Sequence, residues 1–431
     1  MKRLLQLLVI MLLLSTSFIG VSYRVEKQSI MSYNGNIFFV GGSEPGNYTK
    51  IQDAIDDASN GDTVFVYDDS SPYYETLIID KTINLIGENR DTTIIDGGGE
   101  TVVWIFANNV NISRFTIQTG QYGIRLITSG TLIFENTIIY NGLDGIYMTN
   151  SSYNTISNNI IQYNHYGIYL HRSQLQRGSC LHNDIINNTI SNNNYQGIQM
   201  SFYQKYNSVI GNTIANNNGY GIKICCASYS NIVYHNNFKD NGYNAYDQNS
   251  NIWDDGYPSG GNYWDDYNGT DEDEDGIGDI PYSITGGNNF DQYPLIVPCG
   301  NQPPNAPKIN GPTKGKEGIE YKFKFVTTDL ELDNVAYFVE WGDGNNSGWI
   351  GPYNSGEEIV ISHTWMEKGE YLIKAKAKDI FNAESNWTVY DVFNVPKSKQ
   401  INFIFVNYWL NRFPLLQKVI EIFVSIILLH L

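Results

Sequence analysis

A motif that returns at near-constant spacing restricts this chain more than any local propensity does. Asn-x-(Ile/Phe)-x-x-Asn begins at Asn136, Asn159, Asn188, Asn212 and Asn236, with separations of 23, 29, 24 and 24 residues. Each of the first four copies is followed by Gly-Ile, at Gly145-Ile146, Gly167-Ile168, Gly197-Ile198 and Gly221-Ile222, and Gly123-Ile124 extends the series backwards. Aligned on the motif, the copies yield apolar columns. One holds Ile133, Ile156, Ile185, Val209 and Val233, and a second holds Ile138, Ile161, Ile190, Ile214 and Phe238. A third holds Ile124, Ile146, Ile168, Ile198 and Ile222, followed two residues on by Leu126, Met148, Leu170, Met200 and Ile224. Asparagine favours neither helix nor strand, whereas the apolar residues alternate at a period of two, which is the strand period. Three short strands per repeat, parted by Asn/Gly corners, make one coil of a parallel β-helix. Coils stacked about 4.8 Å apart turn each column into an interior ladder. The asparagines are expected at the bends, where they tolerate left-handed backbone and bond to their own kind in the next coil.

With 431 residues the chain is long enough for two or three domains. Its net charge of −18 argues against nucleic acid as a partner. Four cysteines, at 180, 225, 226 and 299, are too few for a disulfide framework. Cys180 with Cys225 or Cys226 is the pairing to consider, beside free thiols. Residues 1–22 combine two basic residues, an apolar run and small residues at Gly20 and Ser22, which reads as an export signal, or else as an uncleaved anchor. Asn-x-Ser/Thr sequons begin at Asn47, Asn111, Asn150, Asn187, Asn268, Asn345 and Asn386, as a surface protein would carry. Residues 401–431 are apolar but broken by Pro414, Lys418 and Glu421, and read as a membrane-associating tail or as a packed terminal helix.

Before the coils, Ile51, Ala54, Ile55 and Ala58 fall on one helical face, and Asn60-Gly61 ends that helix. Placed there, it caps the open end of the β-helix. The segment IQDAIDDASNGDTVFV, the NxI/GI coils, and NYWDDYNGTDEDEDGIGDIPYSI followed by DQYPL resemble the NosD-like, carbohydrate-binding-and-sugar-hydrolase (CASH) family of right-handed parallel β-helices, over residues 37–297. A Pro-rich linker, 298–307, follows. In residues 308–395, YFVEWGDGNNSGW and SHTWMEKGEYLIKAKAKD resemble a PKD domain, an immunoglobulin-like β-sandwich. The resemblance implies that Trp341-Gly342-Asp343-Gly344 is its hallmark turn and that His363, Trp365 and Tyr371 are structural. It also implies a spacer or adhesion module on an extracellular protein. The chain is therefore expected to be all-β.

The outward face of the Gly-Ile strand is the candidate binding surface. Its column reads Arg125, Tyr147, Tyr169, Gln199, Lys223, and the next outward position reads Ile127, Thr149, His171, Ser201, Cys225. Exposed tyrosines flanked by polar and basic groups suit stacking on sugar rings. An extracellular polysaccharide or surface glycoprotein is the expected partner. A polysaccharide lyase, epimerase or hydrolase is the alternative, with Arg125, Asp144, His171 and Arg172 as the residues available for acid–base work. No paired carboxylates repeat in adjacent coils, as such an enzyme would need. A copper role, which the NosD likeness raises, needs soft or imidazole ligands that converge, and His171, Cys180, His182 and Cys225 come nearest. Finally, Asp271, Asp273, Asp275 and Asp279, with Gly276 at the sixth position, match the first part of an EF-hand-like calcium loop. Tyr282 stands where that loop has a bidentate Glu. One Ca²⁺ is expected there.

Overall fold

In a computed structural model of the chain, residues 35–172, 178–396 and 418 are described. The export signal and, apart from residue 418, the apolar tail read from the sequence lie outside the described residues. Those residues divide into two compact units that part after Cys299.

The first unit is a parallel β-helix. Its strands form three parallel sheets, of nine, nine and eight strands among the described residues, and chain order runs from sheet to sheet around each coil. The first sheet runs from Ile37–Val40 to Ile232–Tyr234, the second from Tyr73–Tyr74 to Tyr263–Trp264, and the third from Leu77–Ile79 to Tyr243–Asp247. The three apolar columns are in register: Ile156 pairs with Ile133 and Ile185, Ile161 with Ile138 and Ile190, and Ile168 with Ile146 and Ile198. All of these side chains are fully buried in one continuous core. The third column also explains Gly-Ile. A Cβ on Gly145, Gly167 or Gly197 would lie only 2.5–2.7 Å from the carbonyl oxygen of the glycine one coil on. Coil stacking therefore leaves no room for a side chain at these three positions.

At the corners the two tasks expected of asparagine fall to neighbouring positions. The asparagines of the motif are buried and form hydrogen-bonded ladders, while the left-handed residue is usually the one just before them. Tyr163, Asn187 and His235, at φ 56°, 55° and 55°, precede Asn164, Asn188 and Asn236. Side chains other than glycine in this region cost about 1–2 kcal/mol, and the ladder offsets that cost. Asn188 shows how. Its backbone N–H and its Nδ2 both donate to Oδ1 of Asn212 (2.9 and 3.0 Å), while its own Oδ1 accepts the same pair from Asn159, both at 3.0 Å. Its Nδ2 also donates to the carbonyls of Ile156 (2.8 Å) and Ile186 (3.1 Å). This ladder runs Asn136, Asn159, Asn188, Asn212, Asn236, Asn262. Parallel ladders run from Asn141 to Asn241 and from Asn154 to Asn251. Asparagine to asparagine, the bonds all run toward the C-terminal coils, and every ladder ends on a carboxylate. Asn262 donates to Asp291, Asn251 to Asp247, and Asn241 through Asn244 to Asp265 and Asp266. Asp291 also accepts from Trp264 Nε1 and the Tyr293 N–H, yet burial pushes its carboxyl up to about 6.

The N-terminal end is closed by helix Ile51–Asp57, whose Ile51, Ala54 and Ile55 are buried, together with the edge strand Ile37–Val40. The helix stops before Asn60-Gly61, with the Ala58 N–H donating to the Ala54 and Ile55 carbonyls. No side chain beside the helix caps its first turn. The carboxylate of Glu75, a coil away, accepts the N–H groups of Ile51 and Gln52 at 2.9 and 3.0 Å.

The second unit consists of antiparallel strands around Trp341, Trp365, Tyr337, Phe323 and Phe393. Trp365 Nε1 donates to the Trp341 carbonyl at 3.1 Å. In the Trp-Gly-Asp-Gly turn, His363 stacks flat on Trp341 (4.7 Å, 2°) and bonds Asp343 at 2.8 Å. Histidine, aspartate and tryptophan there hold one another. No helix among the described residues of either unit is long and apolar enough to cross a membrane.

Candidate functional site

The third sheet turns one residue per strand outward at the same register: Ile78, Trp104, Arg125, Tyr147, Tyr169, Gln199, Lys223, Tyr246. The five central members are those read from the sequence. The Arg125 guanidinium lies 4.5 Å from the ring centre of Trp104 and 5.7 and 5.6 Å from those of Tyr122 and Tyr147. Lys223 Nζ lies 5.5 Å from Tyr220 and 5.4 Å from Tyr246. Neither cation forms an ion pair among the described residues, and Arg125 Nε and Trp104 Nε1 are buried without a hydrogen-bond partner among them. Two cations held against aromatic faces and without ion-pair partners among the described residues thus stand at the two ends of the five central members.

Between them the expectation needs correcting. Tyr147 and Tyr169 are half-buried and meet edge to face, 5.8 Å apart at 82°, so they are not a flat double platform. Tyr147 Oη shares a 3.0 Å hydrogen bond with His171 Nδ1. Burial pushes both phenols up to about 12 and lowers the His171 imidazole below its usual range. Gln199 is outward but covered. It is only 6% exposed, and its Nε2 donates to Ser201 Oγ at 2.6 Å, so it is not free to meet a sugar.

A second column flanks the first, one residue before each glycine: Tyr122, Asp144, Tyr166, Gln196, Tyr220. Asp144 is in register with Tyr166 and is 4% exposed. Its carboxylate makes no hydrogen bond among the described residues, and burial alone pushes it up to about 7. Tyr122, Tyr147, Tyr166 and Tyr169 all feel its charge. His171 lies on the other flank, and the Arg172 guanidinium packs over Tyr203 at 4.7 Å. Arg125, Asp144 and His171 therefore border one patch, with Asp144 buried and Arg172 turned to Tyr203.

The Asp144 value has a measurable consequence. A carboxyl raised from an unfolded value near 4 to about 7 stabilises the fold fully below pH 4 and loses that contribution as pH rises through 7. Thermal unfolding at pH 5 and pH 8 is expected to show the chain more stable at pH 5, by a few kcal/mol. Asp144→Asn is expected to raise the melting temperature at pH 8 and shrink the difference. Asp291 and Asp247, also raised by burial, leave a residual slope of the same sign. An Asp144→Asn chain with the parent's full pH difference would show that Asp144 ionises freely in the fold.

In the acidic turn, Asp271, Asp273 and Asp275 each offer an oxygen, all within 4.8 Å of one another. Asp279, the fourth expected ligand, is not among them. Its carboxylate accepts from the Glu272 N–H (2.8 Å) and Thr270 Oγ (3.4 Å), fastening the loop instead.

The family model for NosD, described as a periplasmic copper-binding protein, matches residues 55–269. Those residues form a NosD-like β-helix. A cell surface glycoprotein of Methanothermus fervidus is 32% identical over 117 residues, 27% of this chain, which covers only 16% of that relative's length. The PKD domain of a peptidase from a Thermoplasmatales archaeon is 53% identical along its whole length, over 23% of this chain, with a TM-score of 0.22. The second unit is accordingly PKD-like. A tailspike of an Acinetobacter baumannii bacteriophage, described as a capsular polysaccharide depolymerase, is 10% identical (81% of this chain, 76% of that one) with a TM-score of 0.32.

The NosD-like β-helix does not bring the copper foursome together. Cys180 is fully buried, its Sγ 4.0 Å from the His171 carbonyl, and burial pushes its thiol up to about 12. The His182 ring is stacked on Tyr153 (5.0 Å) and Tyr206 (5.1 Å). Cys225 Sγ instead meets Cys226 and Ser201. A copper ion held by His171, Cys180, His182 and Cys225 does not fit this geometry.

Proposed function

We propose that this is an exported cell-surface protein whose NosD-like β-helix binds an extracellular glycan along the outward face of its third sheet, with the PKD-like unit as spacer. The observation that carries this reading is the continuous outward column from Trp104 to Tyr246. It places aromatic rings and two cations without ion-pair partners on a rigid, evenly spaced scaffold. Aromatic faces pack on the apolar faces of sugar rings, and half-buried rings lose little freedom when they do so. Arg125 and Lys223 supply charge for acidic or hydroxyl-rich substituents. A membrane-associating tail at 401–431 and a calcium ion on Asp271, Asp273 and Asp275 belong to the same reading.

The decisive experiment is a glycan array probed with the full chain, with and without calcium. Replacing Tyr147 and Tyr169 by Ala together is expected to weaken binding of responsive glycans by more than about 1 kcal/mol while leaving the fold intact, because each ring loses its stacking face. Unchanged binding by that variant would remove this face from consideration. Loss of binding without calcium would tie the acidic turn to recognition, and Asp273→Ala with Asp275→Ala should then reproduce it.

Asp144 favours a second reading. A carboxyl held near neutrality both takes and gives a proton at physiological pH, as a lyase or epimerase acting on acidic sugars requires. Incubation of array-positive glycans with the protein, followed by ultraviolet detection of unsaturated sugars and product analysis, tests it. Activity abolished by Asp144→Asn would establish the enzyme, and intact glycan after long incubation would retire it.

A further inference from the structure

The NosD-like β-helix holds two adjacent cysteines at the Lys223 end of the aromatic column, and the function proposed above does not use them. Cys225 ends the strand Tyr220–Cys225, and Cys226 begins the corner that follows. Their sulfurs lie 2.6 Å apart, well inside the non-bonded contact of two thiols and not far from the length of an S–S bond, about 2.05 Å. The surroundings fix this approach. Cys225 is 8% exposed, and its Sγ is held by Ser201 Oγ at 3.5 Å and Gln199 Nε2 at 3.7 Å. Cys226 and Ala227 both adopt left-handed backbone, at φ 63° and 62°, which folds the chain back at once after the strand. The Cys226 N–H faces Gln248 Oε1 at 3.4 Å, and the Cys226 carbonyl accepts from the Tyr203 N–H at 3.1 Å, so the corner is pinned to coils on both sides. Cys226 remains partly accessible, and a reagent can reach it.

We infer that Cys225 and Cys226 close to a disulfide across their shared peptide bond, a redox-sensitive clasp at this corner of the β-helix. The two thiols lose two protons and two electrons, and one S–S bond forms. The electrons pass to an oxidant of the disulfide class, which is reduced to two thiols. Closure removes the Cys225 S–H as a donor to Ser201 Oγ, leaves its sulfur to accept from Gln199 Nε2, and converts a corner held by hydrogen bonds into a covalent ring. Neighbouring Cα atoms are about 3.8 Å apart, closer than the 4.4–6.8 Å that disulfides ordinarily span. Bridges outside that span are the more easily reduced ones, so this one opens and closes under conditions that leave structural disulfides intact.

The chain offers a clean readout, because trypsin cleavage after Lys223 and Lys239 leaves both cysteines in one peptide, residues 224–239. The full-length protein is treated with oxidised glutathione, denatured without reductant, alkylated with N-ethylmaleimide and digested. Peptide 224–239 is expected two hydrogens lighter than its reduced form and unalkylated, while Cys180 and Cys299 each carry one label. Native treatment with millimolar dithiothreitol before alkylation should place two labels on 224–239. A peptide doubly alkylated after the oxidant, or one cross-linked to the Cys180 peptide, would overturn the inference. Cys226→Ser provides the control: its Cys225 must then take up label under every condition, and failure to do so would show that the mass shift has another origin.

Discussion

Asn188→Leu is expected to cost the β-helix about 2–6 kcal/mol, although the two side chains are close in size. Leucine supplies the volume and none of the bonds. The Asn159 N–H loses its acceptor and its Nδ2 keeps only the Ile133 carbonyl, while the Ile156 carbonyl loses a donor and the part-buried Ile186 carbonyl keeps only the Asn158 N–H. A buried polar group left without its partner costs about 1–3 kcal/mol, and the Asn159 N–H and the Ile156 carbonyl both lose this bond. The ladder is one bonded chain, so the damage spreads to the coils on either side. Denaturant unfolding of the full chain, followed by far-ultraviolet circular dichroism, checks this. A loss below about 1 kcal/mol would mean that the asparagines are fillers of corners and not their fasteners.

Ile168→Asp should be at least as damaging, for the opposite reason: it adds polarity where none can be met. Ile168 is fully buried and stands in register between Ile146 and Ile198. An aspartate there exchanges apolar burial for a carboxylate with no donor in reach, at a cost of several kcal/mol or more. Ile168→Val, which keeps the apolar column and trims one methylene, should cost only about 0.5–1.5 kcal/mol. Equal melting temperatures for the aspartate variant and the parent would contradict the column itself.

How far these features are legible in the residue order depends on whether they recur. The apolar columns repeat every coil, so period-two alternation and motif spacing bring Ile133, Ile138 and Ile168 onto their three sheets without further information. The division of labour at the corners is less visible. Asn187 and Asn188 are the same residue side by side, yet one takes the left-handed backbone and the other spans the coils. Only hydrogen bonds reaching some 24 residues along the chain distinguish them. Glu75, which caps the helix at Ile51, is likewise set by a contact between coils and carries no local signal.

The candidate site is divided in the same way. Arg125, Tyr147, Tyr169 and Lys223 were readable because each follows Gly-Ile. Trp104 and Tyr246 extend the column but follow Val102-Val103 and Asn244-Ala245, coils in which the marker has lapsed. The flanking tyrosines do sit at a regular position, directly before the glycines, and aligning that position would have found them. Burial is what periodicity misses: Gln199 is outward by register yet only 6% exposed, and Asp144, beside the glycine corner, is only 4% exposed.

The one-way sense of the asparagine ladders bears on how such a chain can change length in evolution. Each rung accepts from the coil behind and donates to the coil ahead, so a duplicated coil inserted among Asn159, Asn188 and Asn212 finds the same sockets on both sides. Appending a coil after the last one is different, because Asp291 and Asp247 have no amide to pass on and act as full stops. Lineages of this architecture should therefore gain and lose whole turns from the middle while their terminal coil stays recognisable. The carboxylates that end the ladders, more than the number of repeats, would then identify the same end in long and short relatives.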